Sequence, residues 1–379
     1  MTTKPIRLGF IGGGINSAVG TTHFVAAQMD GLFRVEAGCY SRRPEINTMT
    51  ADKWGIPSDR LYTTWQEMLD QEQGRLDAIV ILTPSPDHRH PVIAALRAGY
   101  AVICEKALAV SSQEATEIED AVRDTGGFLT VTYNYTGYPM VRELRQMIQH
   151  GRLGRVEQVH IEMPQEGYAR LNREGQPIVP QQWRLRDGTV PTISLDLGVH
   201  IHHMMEFLTG EKPRELVATQ SSLGRFRQVV DNTMALVRYT SGIESSIWFS
   251  KAALGHRNGL RIRVYGDEAS AEWFQMEPET LMFCDNRGHQ TRIDRASVDV
   301  QLAQLERYNR FKAGHPSGFL EAFANLYADI YGQLVGENHT DYVFTARHAR
   351  EGLLMFEAID QSAREHRWVE IDLGGSSAA

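Results

Sequence analysis

Between Ile193 and Gly210 the sequence reads ISLDLGVHIHHMMEFLTG, which gathers three histidines and two carboxylates into one short run. Such a run could coordinate a metal, carry a proton, or simply solvate the polar face of a helix. A glycine after an apolar periodic stretch is a helix stop, so Gly210 assigns most of the run to a helix. At a period near 3.6 residues, Asp196, His200 and His203 share one face, and His202 and Glu206 share another. Imidazole, with a reference pKa of about 6.5, is a base at neutral pH, and a carboxylate one turn earlier could orient it. A second candidate is Lys106 in ICEKALAV, a cation directly after a buried-looking strand, suited to stabilising a developing alkoxide.

These groups need a frame, and the first third of the chain supplies one. RLGFI, FRVEAGCY, AIVIL, AVICE and FLTVTY are short apolar runs without polar alternation, the pattern of buried parallel strands. Helical patterns separate them, with capping-box spacing at Thr64 to Glu67 and Ser111 to Glu114 and a stop at Gly99. The alternation predicts a Rossmann-type doubly wound sheet. Its first turn, GFIGGGINSAVG, puts Gly12, Gly14, Ile15 and Asn16 between strand and helix, where backbone approaches a pyrophosphate and the helix start favours an anion. NAD sites place an acid at the end of the second strand. Here that point reads Ser41-Arg42-Arg43, which tilts the expectation from NAD toward NADP, because a guanidinium matches the 2′-phosphate. The loops after the later strands add Thr83, Pro84 and His88, then Glu105 and Lys106, then Asn134, as cofactor or substrate contacts. Either His88 or Asn134 could instead satisfy backbone groups of its own turn.

After residue 133 the texture changes. A helix around Met140 to Ile148 leads to antiparallel-type strands such as GLRIRVYG and IESSIWFS, then to helical segments near 319–333 and 345–363 and a closing strand, RWVEI. The expected division is a dinucleotide-binding domain over 1–133 and a substrate-binding domain over 134–379, with a disordered small-residue tail from about 374. QQWRLRDG adds Trp183, whose face suits the apolar side of a sugar ring, and Arg184, which suits an acidic group; a loop packed by its own tryptophan is an equally good account.

Length and composition narrow the function classes. A chain of 379 residues can bury two cores, and 42% hydrophobic and 23% charged residues are typical of a globular protein. A formal net charge of -8 argues against a general nucleic-acid binder. No apolar run approaches membrane-span length and the amino terminus has no signal-like stretch, so a cytoplasmic protein is expected. The cysteines Cys39, Cys104 and Cys284 lack metal or redox spacing, and no metal site is expected.

Taken together, the glycine loop, TPSPDHRH, ICEKALAV, TVTYNYTGYP, HGRLG, the spacing from Asp196 to His200, IRVYGDEASAEW and HPSGFLEAFANLY resemble the Gfo/Idh/MocA family of NAD(P)-dependent oxidoreductases over nearly the whole chain. Two positions depart from the family pattern: Ala107 replaces the proline of Glu-Lys-Pro, and His203 replaces the last acid of the helix motif. The resemblance implies a Rossmann domain followed by an α/β domain with an open, mostly antiparallel sheet. It also implies sugar, inositol or polyol substrates and packing into homodimers or homotetramers. With the loop and Lys106 in place, Asp196 and His200 read as a proton relay, Lys106 as the alkoxide partner and His203 as a substrate contact. An alternative within the family is a glycosidase acting by transient oxidation and elimination, and one outside enzymology is a non-catalytic dinucleotide-binding regulator.

Overall fold

The computed structural model describes residues 4–337 and 340–374. In chain order the elements are β1 (Ile6–Gly12), α1 (Ala18–Gln28), β2 (Phe33–Cys39), α2 (Pro44–Trp54), α3 (Trp65–Gln71), β3 (Ala78–Leu82), α4 (Arg89–Arg97), β4 (Ala101–Glu105), α5 (Ser112–Thr125), β5 (Leu129–Thr132), α6 (Pro139–Gln149) and β6 (Val156–Pro164). There follow α7 (Val199–Thr209), β7 (Pro213–Ser221), β8 (Asn232–Tyr239), β9 (Glu244–Ser250), β10 (Arg261–Gly266), β11 (Ala269–Phe274), β12 (Thr280–Asp285), β13 (Gln290–Asp294), α8 (Phe319–Leu334), α9 (Ala346–Glu365) and β14 (Val369–Glu370). Among the described residues no helix is long and apolar enough to cross a membrane.

The chain folds into two compact units, and the boundary differs from the contiguous division expected at residue 133. One unit comprises Met1–Gly137 with Gly318–Arg350, the other Tyr138–Ser317 with Glu351–Ala379. The physical reason lies in α8, whose apolar face packs on the first unit. Tyr327 and Tyr331 meet Phe33 edge to face, Phe323 meets the ring of His23, and Asn325 donates to the Gly137 carbonyl. Of the tail expected to be disordered, all but Gly374 lies outside the described residues.

The first unit holds a five-stranded parallel sheet in the order β2-β1-β3-β4-β5. Every residue of β3 and β5 is buried, as strands covered on both faces require. The expected caps are present: Thr64 accepts from the Glu67 N–H, Ser111 accepts from the Glu114 N–H, and Gly99 takes a left-handed φ of 83° after α4. Consequently the loops after all five strands emerge at one carboxyl edge.

The second unit is built on a nine-stranded sheet, β13-β12-β11-β10-β6-β9-β8-β7-β14. All of its pairs are antiparallel except β6 with β9. Strand alternation divides its faces: Ala235 and Val237 are buried, whereas Met234 and Leu236 point to solvent, as do Tyr265 and Met282. On the buried face Phe249 meets Phe356 of α9 edge to face.

Candidate functional site

The glycine loop connects the sheet edge to α1 under tight steric constraint. Gly12 and Gly13 both have left-handed φ, at 82° and 74°, and a Cβ on either would approach Thr83 N or Leu82 Cδ1 to 2.8 and 2.6 Å. Gly14 donates to the Tyr40 carbonyl at 3.1 Å and Ile15 to Thr50 Oγ1 at 3.0 Å, which ties the loop to the end of β2 and to α2. Asn16 is exposed at the tip. Ser17, which fits the third position of the dinucleotide fingerprint, is instead the N-cap of α1 and accepts from Gly20 N–H. Close packing of helix on loop falls to Gly20, where a Cβ would lie 1.7 Å from the Gly13 carbonyl oxygen. The N–H groups of the first turn of α1 that precede Gly20 have no intrahelical acceptor, leaving an anion-favouring end at the loop.

At the end of β2, Asn47 Oδ1 accepts from the N–H groups of Tyr40 and Ser41, and its Nδ2 donates to the Tyr62 carbonyl. This fixes the turn that presents Arg42 and Arg43, both exposed. The Arg42 guanidinium pairs with Asp87 of the loop after β3. In that loop Pro84 is exposed, Thr83 Oγ1 donates to the Asp87 carbonyl, and His88 is completely buried. The two ring nitrogens of His88 face the carbonyls of Ala107 at 2.9 Å and Thr83 at 2.7 Å, so its visible work is to tie the third-strand loop to the turn after β4. Burial lowers its pKa, which favours the neutral ring.

Glu105 ends β4 and is buried, and its Oε1 accepts from Thr132 Oγ1 at 2.6 Å and from His23 Nε2 at 3.0 Å. Burial alone would raise its pKa; the His23 hydrogen bond and charge, the Lys106 charge and the Thr132 hydrogen bond outweigh it and hold the carboxyl below the ordinary range. Lys106 follows, half-buried, with a cis peptide bond to Ala107. Asn134 begins the turn after β5; its side-chain nitrogen is buried with no hydrogen-bond partner among the described residues, so it holds a donor in reserve.

The histidine segment departs from a continuous α-helix. Ser194–Gly198 form one turn of π-helix, and α7 begins only at Val199. A π turn is wound i→i+5, so the phase between Asp196 and His200 is not the one a uniform α period implies. The Asp196 carboxylate pairs with Lys251 and with Arg184. His200, His202 and His203 are all buried; His202 packs against Gly352, where an added Cβ would come within 3.1 Å of its ring, and His203 lies near the Phe207 ring. Trp183 Nε1 donates to Gln181, and Arg184 stacks on the Trp183 ring at 4.5 Å. The Arg184 carbonyl accepts from Tyr168 and Thr192, while Asp187 accepts from Thr192 and the Val230 N–H, so this loop is anchored at several points. Asp231 is also structural: it accepts the N–H groups of Leu223 and Gly224. Among the described residues no cluster of three metal-ligating side chains is found.

Lys251, Gly20 and His23 are absent from the sequence-based candidates. Lys251 carries the same signal as Lys106, a cation immediately after a strand, and sits 6% exposed with its ammonium 5.1 Å from the Tyr168 ring centroid. Gly20 is a glycine inside a helix, where propensity disfavours it and close packing explains it.

Residues 6–133 match the model of the oxidoreductase family with an NAD-binding Rossmann fold, and residues 141–272 match the Gfo/Idh/MocA C-terminal domain. The chain belongs to the Gfo/Idh/MocA oxidoreductases. It is similar to an uncharacterized oxidoreductase, YfiI, of Bacillus subtilis, 30% identical over 97% of this chain and 94% of that one. A levoglucosan dehydrogenase of Pseudarthrobacter phenanthrenivorans is 25% identical over 70% of this chain and 72% of its own. Among solved structures, an inositol dehydrogenase homolog of Azotobacter vinelandii, complexed with NADH and myo-inositol, is 28% identical. It has a TM-score of 0.88 over 97% of this chain and 98% of that one. As a Gfo/Idh/MocA protein the chain is an NAD-binding oxidoreductase, and its first unit fits that cofactor. The close-packed glycines leave no room for side chains in the loop, the start of α1 favours phosphate, and Asn134 keeps a buried donor unused.

Proposed function

We propose that the protein is a dehydrogenase that exchanges a hydride between a secondary alcohol of a sugar, inositol or related polyol and a nicotinamide cofactor. The observation that carries this reading is the glycine cradle of the first unit with Lys106 on its rim, in a chain whose relatives include levoglucosan and inositol dehydrogenases. When bound, the cofactor supplies the hydride acceptor. Lys106 places an ammonium at the alcohol oxygen and stabilises the alkoxide as it forms. His200 takes the hydroxyl proton. Asp196, held as an anion by Lys251 and Arg184, sets the charge at the head of the histidine helix. Trp183, Arg184 and His203 contribute to substrate recognition. Turnover over a polyol panel, followed by nicotinamide absorbance, tests the reading; no cofactor reduction with any polyol, or an unchanged rate in Lys106→Ala, would refute it.

Two finer readings belong with this function. Arg42 and Arg43, exposed where an acid would bind the ribose of NAD, support use of NADP beside NAD, because the Arg42–Asp87 pair is solvent-exposed and therefore weak. A ratio of kcat/KM for the two cofactors that Arg42→Ala leaves unchanged would exclude it. Met234, Leu236, Tyr265 and Met282, exposed on one side of the nine-stranded sheet, support self-association. A monomer in sedimentation at micromolar concentration would exclude that.

A further inference from the structure

Directly behind Lys106 lies a buried polar chain that the proposed chemistry does not use. His23, on the second turn of α1, has no exposed surface; its Nδ1 is 2.7 Å from the Tyr327 hydroxyl of α8 and its Nε2 is 3.0 Å from Glu105 Oε1. Phe323 packs edge-on against the ring at 4.9 Å, so the surroundings are otherwise apolar. The polarity of each contact follows from what each atom can do. A carboxylate only accepts, so Nε2 carries a hydrogen and donates to Glu105. The Tyr327 hydroxyl can donate to Nδ1 or accept from it, and its one hydrogen-bond partner among the described residues is His23. Thr132 donates the second hydrogen bond to the same carboxylate oxygen.

We propose that His23 is a positioning residue: held between Tyr327 and Glu105, it keeps Glu105 an anion next to Lys106 and so fixes the charge balance at the rim. An apolar pair would fill the same space at lower desolvation cost, so the polar chain is explained by what it does to Glu105. The groups facing Glu105 are His23 from α1, Thr132 from β5, Cys104 from its own strand, Lys106 from the turn after it, His88 from the third-strand loop and, through His23, Tyr327 from α8. Burial pushes the His88 pKa down and the Cys104 thiol and Tyr327 phenol up, so it works against a charge on each of the three. The carboxylate therefore depends on the His23 and Thr132 hydrogen bonds and on the Lys106 ammonium. The consequence for turnover rests on the reading of Lys106 as the alkoxide partner; the consequence for Glu105 does not.

The test uses the full chain with His23→Phe, His23→Gln, Glu105→Gln and Lys106→Ala. Folding is checked by thermal unfolding and NAD affinity by calorimetry. In His23→Phe the infrared carbonyl band of a protonated carboxylic acid appears at neutral pH and is abolished by adding Glu105→Gln. In the same variant kcat falls roughly ten- to a hundredfold, the range known for hydrogen-bonding partners behind metal ligands. The acid limb of its pH profile moves upward. His23→Gln, which can still donate to Glu105, restores most of both. Should His23→Phe fold without the band and with an unmoved acid limb, the proposal is overturned. If it does not fold, Glu105→Gln decides: a loss like that expected of His23→Phe supports the role, and wild-type kcat refutes it. A band in His23→Phe beside unchanged turnover in Lys106→Ala would leave the role of His23 toward Glu105 standing and remove the reading of Lys106.

Discussion

Asp196 presents one carboxylate to two cations, and this changes what its neighbours are expected to do. Replacing Lys251 by Met leaves Arg184 as the remaining named partner, so the loss is about 1–3 kcal/mol of stability rather than the full cost of orphaning a buried ion. Thermal unfolding measures it, and Lys251→Arg should recover most of it. His200→Ala should lower kcat by roughly two to four orders of magnitude with NAD affinity retained, the scale of losing a positioned base. His202→Ala should do the reverse, lowering Tm through a cavity beside Gly352 while sparing kcat, as steady-state kinetics on the folded variants would show. The sequence made the candidates Lys106, Asp196, His200 and Asn134 visible through residue type and position after strands. It could not reveal that the His88 ring faces the Ala107 carbonyl or that Lys251 meets Asp196, because those partners come from other segments of the chain.

Elements were legible where their burial was uniform. The parallel strands of the first unit could be read from unbroken apolar runs, and α8 and α9 from their periodicity, because each pattern reports one covered face. The turn at Ser194–Gly198 escaped, since a single π turn changes the phase of a helix without changing its composition. At the glycine loop, pattern matching put weight on Gly12, Gly14, Ile15 and Asn16, whereas the steric contacts put it on Gly12, Gly13 and Gly20. Gly20→Ala should therefore push α1 away from the loop and abolish NAD binding in a protein that retains its sheet, measured by calorimetry beside circular dichroism. A folded Gly20→Ala variant with undiminished affinity would contradict this account of the loop.

The molecule as a whole holds its first unit together with carboxylates whose ionised forms are favoured by folding. For Glu72, burial raises the pKa, but hydrogen bonds from Arg60 and Tyr62 and the charges of Arg60 and Arg75 bring it below the ordinary value. For Asp77 the Arg7 hydrogen bond leads and the net direction is again downward. Groups with depressed folded pKa values contribute stability that is complete above the unfolded values, about 4, and is lost as pH falls through the folded ones. Denaturant titrations should thus show little change on the neutral side and a progressive loss below about pH 4. Arg60→Met should flatten that loss, and an equally steep curve in the variant would argue against this origin. The two-unit division was legible only in outline, because a sequence read from left to right assigns α8 to the domain it follows in the chain. That interleaving bears on how the protein is made. Residues up to 137 leave the ribosome long before residue 318 does, and the ~180 residues between them take roughly 10–40 s to translate. Throughout that interval His23 and Phe33 lack the aromatic cover of α8, and the second unit also awaits the residues after 351. Nascent chains stalled before residue 318 should accordingly remain protease-sensitive in their first 137 residues, and chains released after residue 350 should not, so neither unit matures before its second segment has been made.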